Sequence, residues 1–450
     1  MVKLGFYHPF PAGGGGGERV LWKMLEEIEN MVSNREINID SIEVYCAASE
    51  EGASKDAPSS ILSAVSHKFQ ITINLPITFI PVPSGRALVS PSSYPSFTMF
   101  LQSLGGARFV ARALSGRPLP DIFLDTTGCA FTYFPVKLIG FLRGSRIKVF
   151  TYTHYPTIST DMLALVYSRR PTYNNSDALA SNPLKAYVKL LYYLLFALIY
   201  AISGTFADFV MVNSTWTRNH ISSLWPLSSP LVLYPPCDAV GFGKSPLTSK
   251  KPYIISIGQF RPEKDHALQI RAFKKFKDEC RKSRGAKLVL LGGCRGSDDE
   301  GRVAELKALV SSLGLEGSVM FLLNEPYSVL KRYLAESSVG IHTMWNEHFG
   351  IGVVEMMAAG LITIAHNSGG PKADIIKPGV DGYLADTVET YAEAMKEVFE
   401  TPEDELLKMR QAARESSMKF DDEQFAKSFR AMFLSNLSQS QKQVIEEVDS

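Results

Sequence analysis

Short, nearly continuous apolar runs recur along the chain, separated by stretches in which apolar residues return every third or fourth position. The first run, Val2 to Tyr7, reads as a buried strand. A turn-rich loop with Gly13 to Gly17 follows, and then Val20, Leu21, Met24, Leu25, Ile28 and Met31 fall on one face of a helix. Further strands are predicted at Ile42 to Cys46, Ile122 to Asp125, Lys148 to Tyr152 and Phe209 to Val212. The second half repeats the grammar at Tyr253 to Ile257, Lys287 to Leu291, Val319 to Leu322, Val339 to His342 and Ile362 to Ala365. Strands alternating with helices indicate α/β, with parallel, doubly wound sheets whose ligands sit outside the carboxyl ends of the strands. Two such sheets in series, joined by the proline-bearing segment Pro230 to Pro252, divide 450 residues into domains at about 1–235 and 236–417, with a ligand cleft expected between them.

One segment breaks this pattern. Leu190 to Ile202 is thirteen apolar or aromatic residues without a charge, preceded by Lys185 and Lys189. Thirteen falls short of the roughly 18 needed to span a bilayer. The run therefore reads either as a buried core helix or as a helix lying in the membrane interface, with its lysines at the headgroups and Tyr187, Tyr192, Tyr193 and Tyr200 along it. The aromatic stretch Tyr94 to Phe109 is a candidate for the same surface.

With 45% hydrophobic and 21% charged residues, the chain is neither disordered nor wholly membrane-embedded. Its net charge of +1 gives no argument for nucleic acid, but the charge is unevenly spread. From Arg86 to Arg218 thirteen Lys or Arg face five Asp and no Glu, a balance of about +8. That stretch is either an ordinary solvated face or a surface for anionic lipid or a phosphorylated acceptor. Five cysteines, without CxxC or His-partnered spacing, favour a reducing compartment and no structural zinc. Because Val2 to Tyr7 already reads as a strand, no cleaved signal peptide is expected, and the Asn-x-Ser/Thr triplets at Asn174, Asn213 and Asn436 are read as unused.

Candidate chemistry lies at strand ends. The glycine run lets backbone approach an anion at a helix N-terminus; the alternative is a bare flexible linker, against which its place between a strand and a helix argues. It matches neither a P-loop nor GxGxxG, since Glu18 stands where the third glycine would be. After the strand ending at Ile257, Arg261 and Lys264 form a cation pair able to clamp a diphosphate, although a solvated turn would look alike. Glu347 falls in the loop after the strand Val339 to His342, and Ile351 onward reads as a helix carrying Glu355. The turn Phe349, Gly350, Ile351 and Gly352 can then offer N–H groups to phosphate, with Glu347 reaching a sugar hydroxyl and Glu355 a ribose diol. His154 follows the strand Lys148 to Tyr152, and is either a satisfied structural histidine or a contact to a transferred sugar.

The box EHFGIGVVE with MAAGLITIAHNSGGPKADII after it, the run HPFPAGGGGGERVLW and THYPTISTDML together resemble retaining GT-B glycosyltransferases. FLDTTGCAFTYFP, ADFVMVNSTWT and GGCRGSDDEGRVAEL extend the likeness over roughly Leu4 to Phe433. More closely, these motifs resemble the GDP-mannose-dependent α-1,2-mannosyltransferases of the asparagine-linked glycosylation pathway, which act on a dolichol-linked oligosaccharide at the cytosolic face of the endoplasmic reticulum.

The resemblance implies two Rossmann-like domains facing each other across a cleft, with acceptor and membrane on the N-terminal side and nucleotide sugar on the C-terminal side. A terminal helix, about 418–436, is placed back on the first domain. It further implies catalytic roles at the mannose for Glu347 and His154, ribose contact by Glu355, and pyrophosphate contact by Arg261, Lys264 and the Gly16–Gly17 backbone. The implied donor is GDP-mannose, and the implied acceptor dolichyl-pyrophosphate-linked Man3GlcNAc2 and Man4GlcNAc2. No metal or cofactor is expected, and other mannosyltransferases of the pathway are expected as associates. The residues alone leave open another nucleotide sugar, or a catalytically silent membrane-bound partner.

Overall fold

Each series of apolar strands closes into its own all-parallel sheet in the computed structural model, which describes residues 1–48, 57–167 and 183–448. The chain divides into two compact units, Met1–Pro236 with Phe425–Ser450, and Cys237–Gln424.

The first unit holds β1 (Val2–Tyr7), β2 (Ile39–Ala47), β3 (Ile77–Val82), β4 (Ile122–Asp125), β5 (Lys148–Thr153), β6 (Phe209–Val212) and β7 (Leu231–Val232) in the order β3-β2-β1-β4-β5-β6-β7. The strand order reverses between β1 and β4, so the loops leaving these two strands diverge at one point of the sheet. Two strands, β3 and β7, were not legible. β3 sits at the sheet edge, where Pro81 is tolerated because no further strand needs its N–H. β7 lies inside the segment expected to be linker, and the crossing between units falls at Pro236 and Cys237.

The core on one face of this sheet is assembled from both ends of the chain. Helix Gly16–Ser33 buries Val20, Leu21, Met24, Leu25, Ile28 and Met31, the face its spacing predicts. Beside them pack Phe425, Phe429 and Phe433 from helix Asp422–Val448, with Phe433 edge-on to Phe150 of β5. Arg430 of the same helix reaches Glu27 Oε1 at 2.5 Å and Glu36 Oε1 at 3.2 Å.

The second unit orders β8 (Lys251–Ile257), β9 (Lys287–Gly292), β10 (Val319–Leu323), β11 (Ser337–His342), β12 (Ile362–His366) and β13 (Gly382–Ala385) as β10-β9-β8-β11-β12-β13. Here the order reverses between β8 and β11. The short helix Ile351–Ala358 is pinned at its carboxyl end: Arg414 donates to the carbonyls of Ala358 (3.0 Å) and Ser245 (2.6 Å), and Lys250 to those of Ala359 (3.0 Å) and Ala335 (2.8 Å). These side-chain N–H donors satisfy carbonyls that a helix end leaves without intrahelical partners.

Leu190 to Ile202 belongs to a longer helix, Pro183–Gly204, whose window Tyr187–Gly204 is long and apolar enough to cross a membrane by length and composition. Only 22% of that window is buried, so the core-helix reading does not hold. Phe196 and Tyr200, one turn apart, pack into the unit's core, while Leu191, Leu194, Leu195, Leu198 and Ile202 are exposed. The structure brings the aromatic stretch Tyr94 to Phe109 to the same helix: the Phe97 ring meets Tyr192 edge-on, and the Phe100 N–H donates to the Tyr192 hydroxyl. The Asn213 side chain is buried and bonded within the fold, and the Asn174 triplet lies outside the described residues.

Because the ring of Phe429 is wholly buried, Phe429→Ala should cost about 3–5 kcal/mol. Urea unfolding followed by tryptophan fluorescence should show this as a lower midpoint.

Candidate active site

At the reversal point of the second sheet, the loop leaving β8 meets the loop leaving β11. The first loop passes through exposed Arg261 and a single 3₁₀ turn, Pro262–Lys264, before Asp265 caps the next helix by accepting the Leu268 N–H at 3.1 Å. The turn aims Lys264 Nζ at Glu347 Oε2, 2.6 Å away. His342, the last residue of β11, places Nε2 3.1 Å from the same oxygen. Thr343 ties the two loops together, donating to the Lys264 carbonyl at 2.7 Å and accepting from Gln269 Nε2 at 2.8 Å.

The backbone of Glu347 is fixed by a third loop, which follows β12. Gly370 N–H donates to the Glu347 carbonyl at 2.7 Å, and Asn346 N–H to Ser368 Oγ at 2.7 Å. Gly369, at φ +62°, passes so close that a Cβ there would sit 2.2 Å from the Glu347 carbonyl oxygen. Only glycine suits that approach.

Burial alone would raise the Glu347 carboxyl, but the Lys264 ammonium, the His342 hydrogen bond and the nearby His348 together hold it well below the usual carboxylate range. His342 is pushed the other way, kept neutral by burial and by Lys264 against the pull of Glu347. The site thus holds one carboxylate and one ammonium, joined by a neutral imidazole.

Gly350, at φ +112°, turns the chain into helix Ile351–Ala358, whose first turn points N–H groups out of its N-terminus. Half-buried Glu355 lies one turn further on. The Phe349 ring is buried against Phe420, so this residue has only its backbone to offer a ligand.

The first unit has a second polar cluster at its own reversal point, between β1 and β4. The glycine run does not stand open there as a bare anion cradle. Glu18, in the first turn of the helix, folds back so that its Oε2 accepts the Gly15 N–H at 2.7 Å. A Cβ on Gly13 would lie 2.7 Å from that carboxyl group, so the loop needs glycine to wrap around it. Negative charge at this helix N-terminus therefore comes from the chain itself. Burial opposes ionisation of Glu18, but His8 and the Gly15 N–H outweigh it and lower its carboxyl.

His8 Nδ1 is 2.7 Å from the Thr126 hydroxyl, and the Thr126 carbonyl accepts from His154 Nε2 at 3.1 Å. A carbonyl can only accept, so His154 carries a proton on Nε2. Gly17 is the glycine beside this ring: a Cβ on it would be 3.4 Å from Nε2. Beneath the cluster, buried Asp125 accepts from the Thr127 N–H and hydroxyl, both at 2.7 Å, and from Tyr133 at 2.8 Å. Burial raises its carboxyl, and its role is to anchor the loop after β4.

Of the residues picked from sequence, Lys264 and Glu347 are in contact, Gly350, Ile351 and Glu355 follow in the adjoining turn and helix, and Gly16, Gly17 and His154 gather in the first unit. His342, His8, Thr126 and the Ser368 to Gly370 loop were missed. Their signal was only that each directly follows or ends a strand at a reversal point, or lies in the segment after the Glu347 box. Among the described residues no group of three or more His, Cys, Asp or Glu is arranged to hold a metal.

Residues 1–225 match the family described as "ALG11 mannosyltransferase N-terminus", and residues 241–416 match "Glycosyl transferases group 1". A Mus musculus protein named GDP-Man:Man(3)GlcNAc(2)-PP-Dol alpha-1,2-mannosyltransferase is 43% identical over 436 residues, covering 95% of this chain and 85% of its own. A Dictyostelium discoideum protein of the same name is 39% identical over 440 residues, covering 95% and 83%. Among solved structures, Anabaena HepE with UDP and glucose superposes with a TM-score of 0.63 at 17% identity, covering 96% of this chain and 99% of that one. Sucrose-phosphate synthase from Thermosynechococcus elongatus gives 0.65 at 14%, covering 98% and 100%. At such identities these two establish the GT-B fold alone.

The depressed carboxyl of Glu347 fixes a sign. Its contribution to stability is complete above the free-carboxyl value of about 4.3 and is lost as pH falls through the depressed value. Thermal melts from about pH 7 to about pH 3 should show Glu347→Gln losing less Tm on acidification than the parent protein.

Proposed function

The chain belongs to the ALG11 mannosyltransferase family, and from that membership we propose its reaction: retaining transfer of α-1,2-linked mannose from GDP-mannose to dolichyl-pyrophosphate-linked Man3GlcNAc2, and then to Man4GlcNAc2. The observation that carries the site assignment is the Lys264–Glu347 contact at the β8/β11 reversal point, the position where open α/β sheets take their ligands. Arg261 and Lys264 bind the pyrophosphate and stabilise the charge that grows on it as the glycosidic bond breaks. The N–H groups at the start of helix Ile351–Ala358, reached through Phe349, Gly350 and Ile351, bind the same anion. Glu347 accepts from mannose hydroxyls, and Glu355 from the ribose diol. In the first unit, His154 contacts the sugar and the Gly16–Gly17 backbone approaches the diphosphate.

Attack and departure take place on one face of the sugar, and the leaving phosphate accepts the proton of the attacking hydroxyl. No enzymic nucleophile is then needed, and the two cations do the work for which no metal or cofactor is proposed. A catalytically silent partner is disfavoured because Arg261, Lys264, Glu347 and Glu355 are all present and Lys264 and Glu347 are paired.

The acceptor is lipid-linked, which gives the exposed apolar helix a purpose. Phe196 and Tyr200 hold helix Pro183–Gly204 along the flank of the first unit, so it lies in the membrane plane, with the lipid-facing row Leu191, Leu194, Leu195, Leu198 and Ile202 turned outward. Lys189 and the Arg86 to Arg218 excess of positive charge suit anionic headgroups at the cytosolic face of the endoplasmic reticulum. Other mannosyltransferases of the pathway are proposed as neighbours there.

Incubation with GDP-mannose and lipid-pyrophosphate-linked Man3GlcNAc2, with chelator present and UDP-glucose and UDP-GlcNAc as parallel donors, should extend the acceptor only from GDP-mannose. Glu347→Ala should lower transfer by about 10²-fold or more while the circular dichroism spectrum is kept; an active variant refutes its role. Leu195→Lys with Leu198→Lys should abolish flotation with anionic liposomes, and unchanged flotation refutes the membrane face. Phe196 is unsuited to this test because it is buried.

A further inference from the structure

The ion pair of Lys264 and Glu347 has a third member with no role in the reading above. His342 ends β11 with 5% of its side chain exposed, its Nε2 3.1 Å from Glu347 Oε2. An ionised carboxylate only accepts, so the ring proton sits on Nε2 and Nδ1 is left as an acceptor. That Nδ1 is buried without a hydrogen-bond partner. A fold that needed only to fill this space would do so with an apolar side chain, since an unpaired buried nitrogen is a cost. The ring is retained for what Nε2 does.

Besides the His348 N–H, which donates to Oε1 at 3.2 Å, Glu347 has two side-chain donors, both on Oε2, and these differ in mobility. Lys264 stands on a four-carbon stem and can turn to another anion. His342 cannot follow. Its main chain is clamped by Tyr391, whose hydroxyl donates to the His342 carbonyl at 2.9 Å, and the next residue, Thr343, is bonded to both the Lys264 loop and Gln269. A donor diphosphate entering this site competes with Glu347 for Lys264, and the carboxylate then loses its shorter contact just when it must hold a sugar.

We propose that His342 is a positioning residue: its Nε2–H keeps the Glu347 carboxylate in place once the donor diphosphate has drawn Lys264 away. This rests on the reading that the diphosphate binds Lys264 and the mannose Glu347. The ammonium then passes to the phosphate, while the carboxylate keeps the hydrogen bonds of the His342 Nε2–H and the His348 N–H.

Two variants of the full-length chain discriminate, since both stay polar and both can fill the site. In His342→Gln the amide nitrogen stands near the place of Nε2 and still reaches Glu347, whereas in His342→Asn it stands near Nδ1 and does not. With GDP-mannose and the lipid-linked acceptor, kcat should fall by about 10- to 100-fold in His342→Asn and stay within about threefold in His342→Gln, the scale expected for a misplaced reacting group. GDP, which lacks the sugar, should bind both within about twofold of the parent by calorimetry. Equal kcat in Asn and Gln variants overturns the proposal, as does a loss in His342→Asn that appears wholly in KM or in GDP affinity. GDP failing to bind the parent, or binding Lys264→Met undiminished, overturns the donor reading beneath it.

Discussion

A carboxylate withdrawn from water must be given a counter-charge and hydrogen-bond donors, and the C-terminal unit is arranged around that requirement at Glu347. The reversal of strand order brings the β8 and β11 loops side by side; the 3₁₀ turn aims Lys264; Gly369 and Gly370 press the third loop against the Glu347 backbone; and Arg414 and Lys250 hold the far end of the helix that follows. Each is a local solution that sequence chemistry permits, and together they fix one oxygen atom between an ammonium and an imidazole. The substrates proposed for this site meet a group whose charge and direction are settled before they arrive.

The N-terminal unit solves a related problem differently. A five-glycine run at a helix N-terminus suggests an anion site, yet Glu18 supplies the anion from three residues along the chain. The loop is consequently braced by the chain's own carboxylate, and its organisation passes through His8 and Thr126 to His154. Order at His154 is inherited from β1 and β4 rather than from its own strand alone.

Fold class was legible because parallel strands buried on both faces are continuous apolar runs, and ten of them stand out between helices. β3 and β13 were hidden by their edge positions, where one side is exposed and Pro81 or Gly382 interrupts the pattern; β7 is only two residues long. Lys264, Glu347 and Glu355 could be picked out because they follow strands within recognisable boxes. His342 could not: from sequence it is the last residue of a strand, and nothing in its neighbours says that its ring turns towards a residue five positions on. The apolar run Leu190 to Ile202 carried its composition openly but not its exposure, since whether a leucine faces a core or the outside depends on what packs against the helix.

The strip Phe425, Phe429 and Phe433 completes a core whose remaining residues come from the first half of the chain. On a ribosome, that strip emerges only after residues 237–424 have been made, on the order of ten to forty seconds later at usual elongation rates. Through that interval the N-terminal sheet has helix Gly16–Ser33 to pack against but lacks the three rings that lie beside it, while the C-terminal unit, contiguous in sequence, is being completed. The N-terminal core is thus closed by the last helix to be made, after the whole of the C-terminal unit has been synthesised.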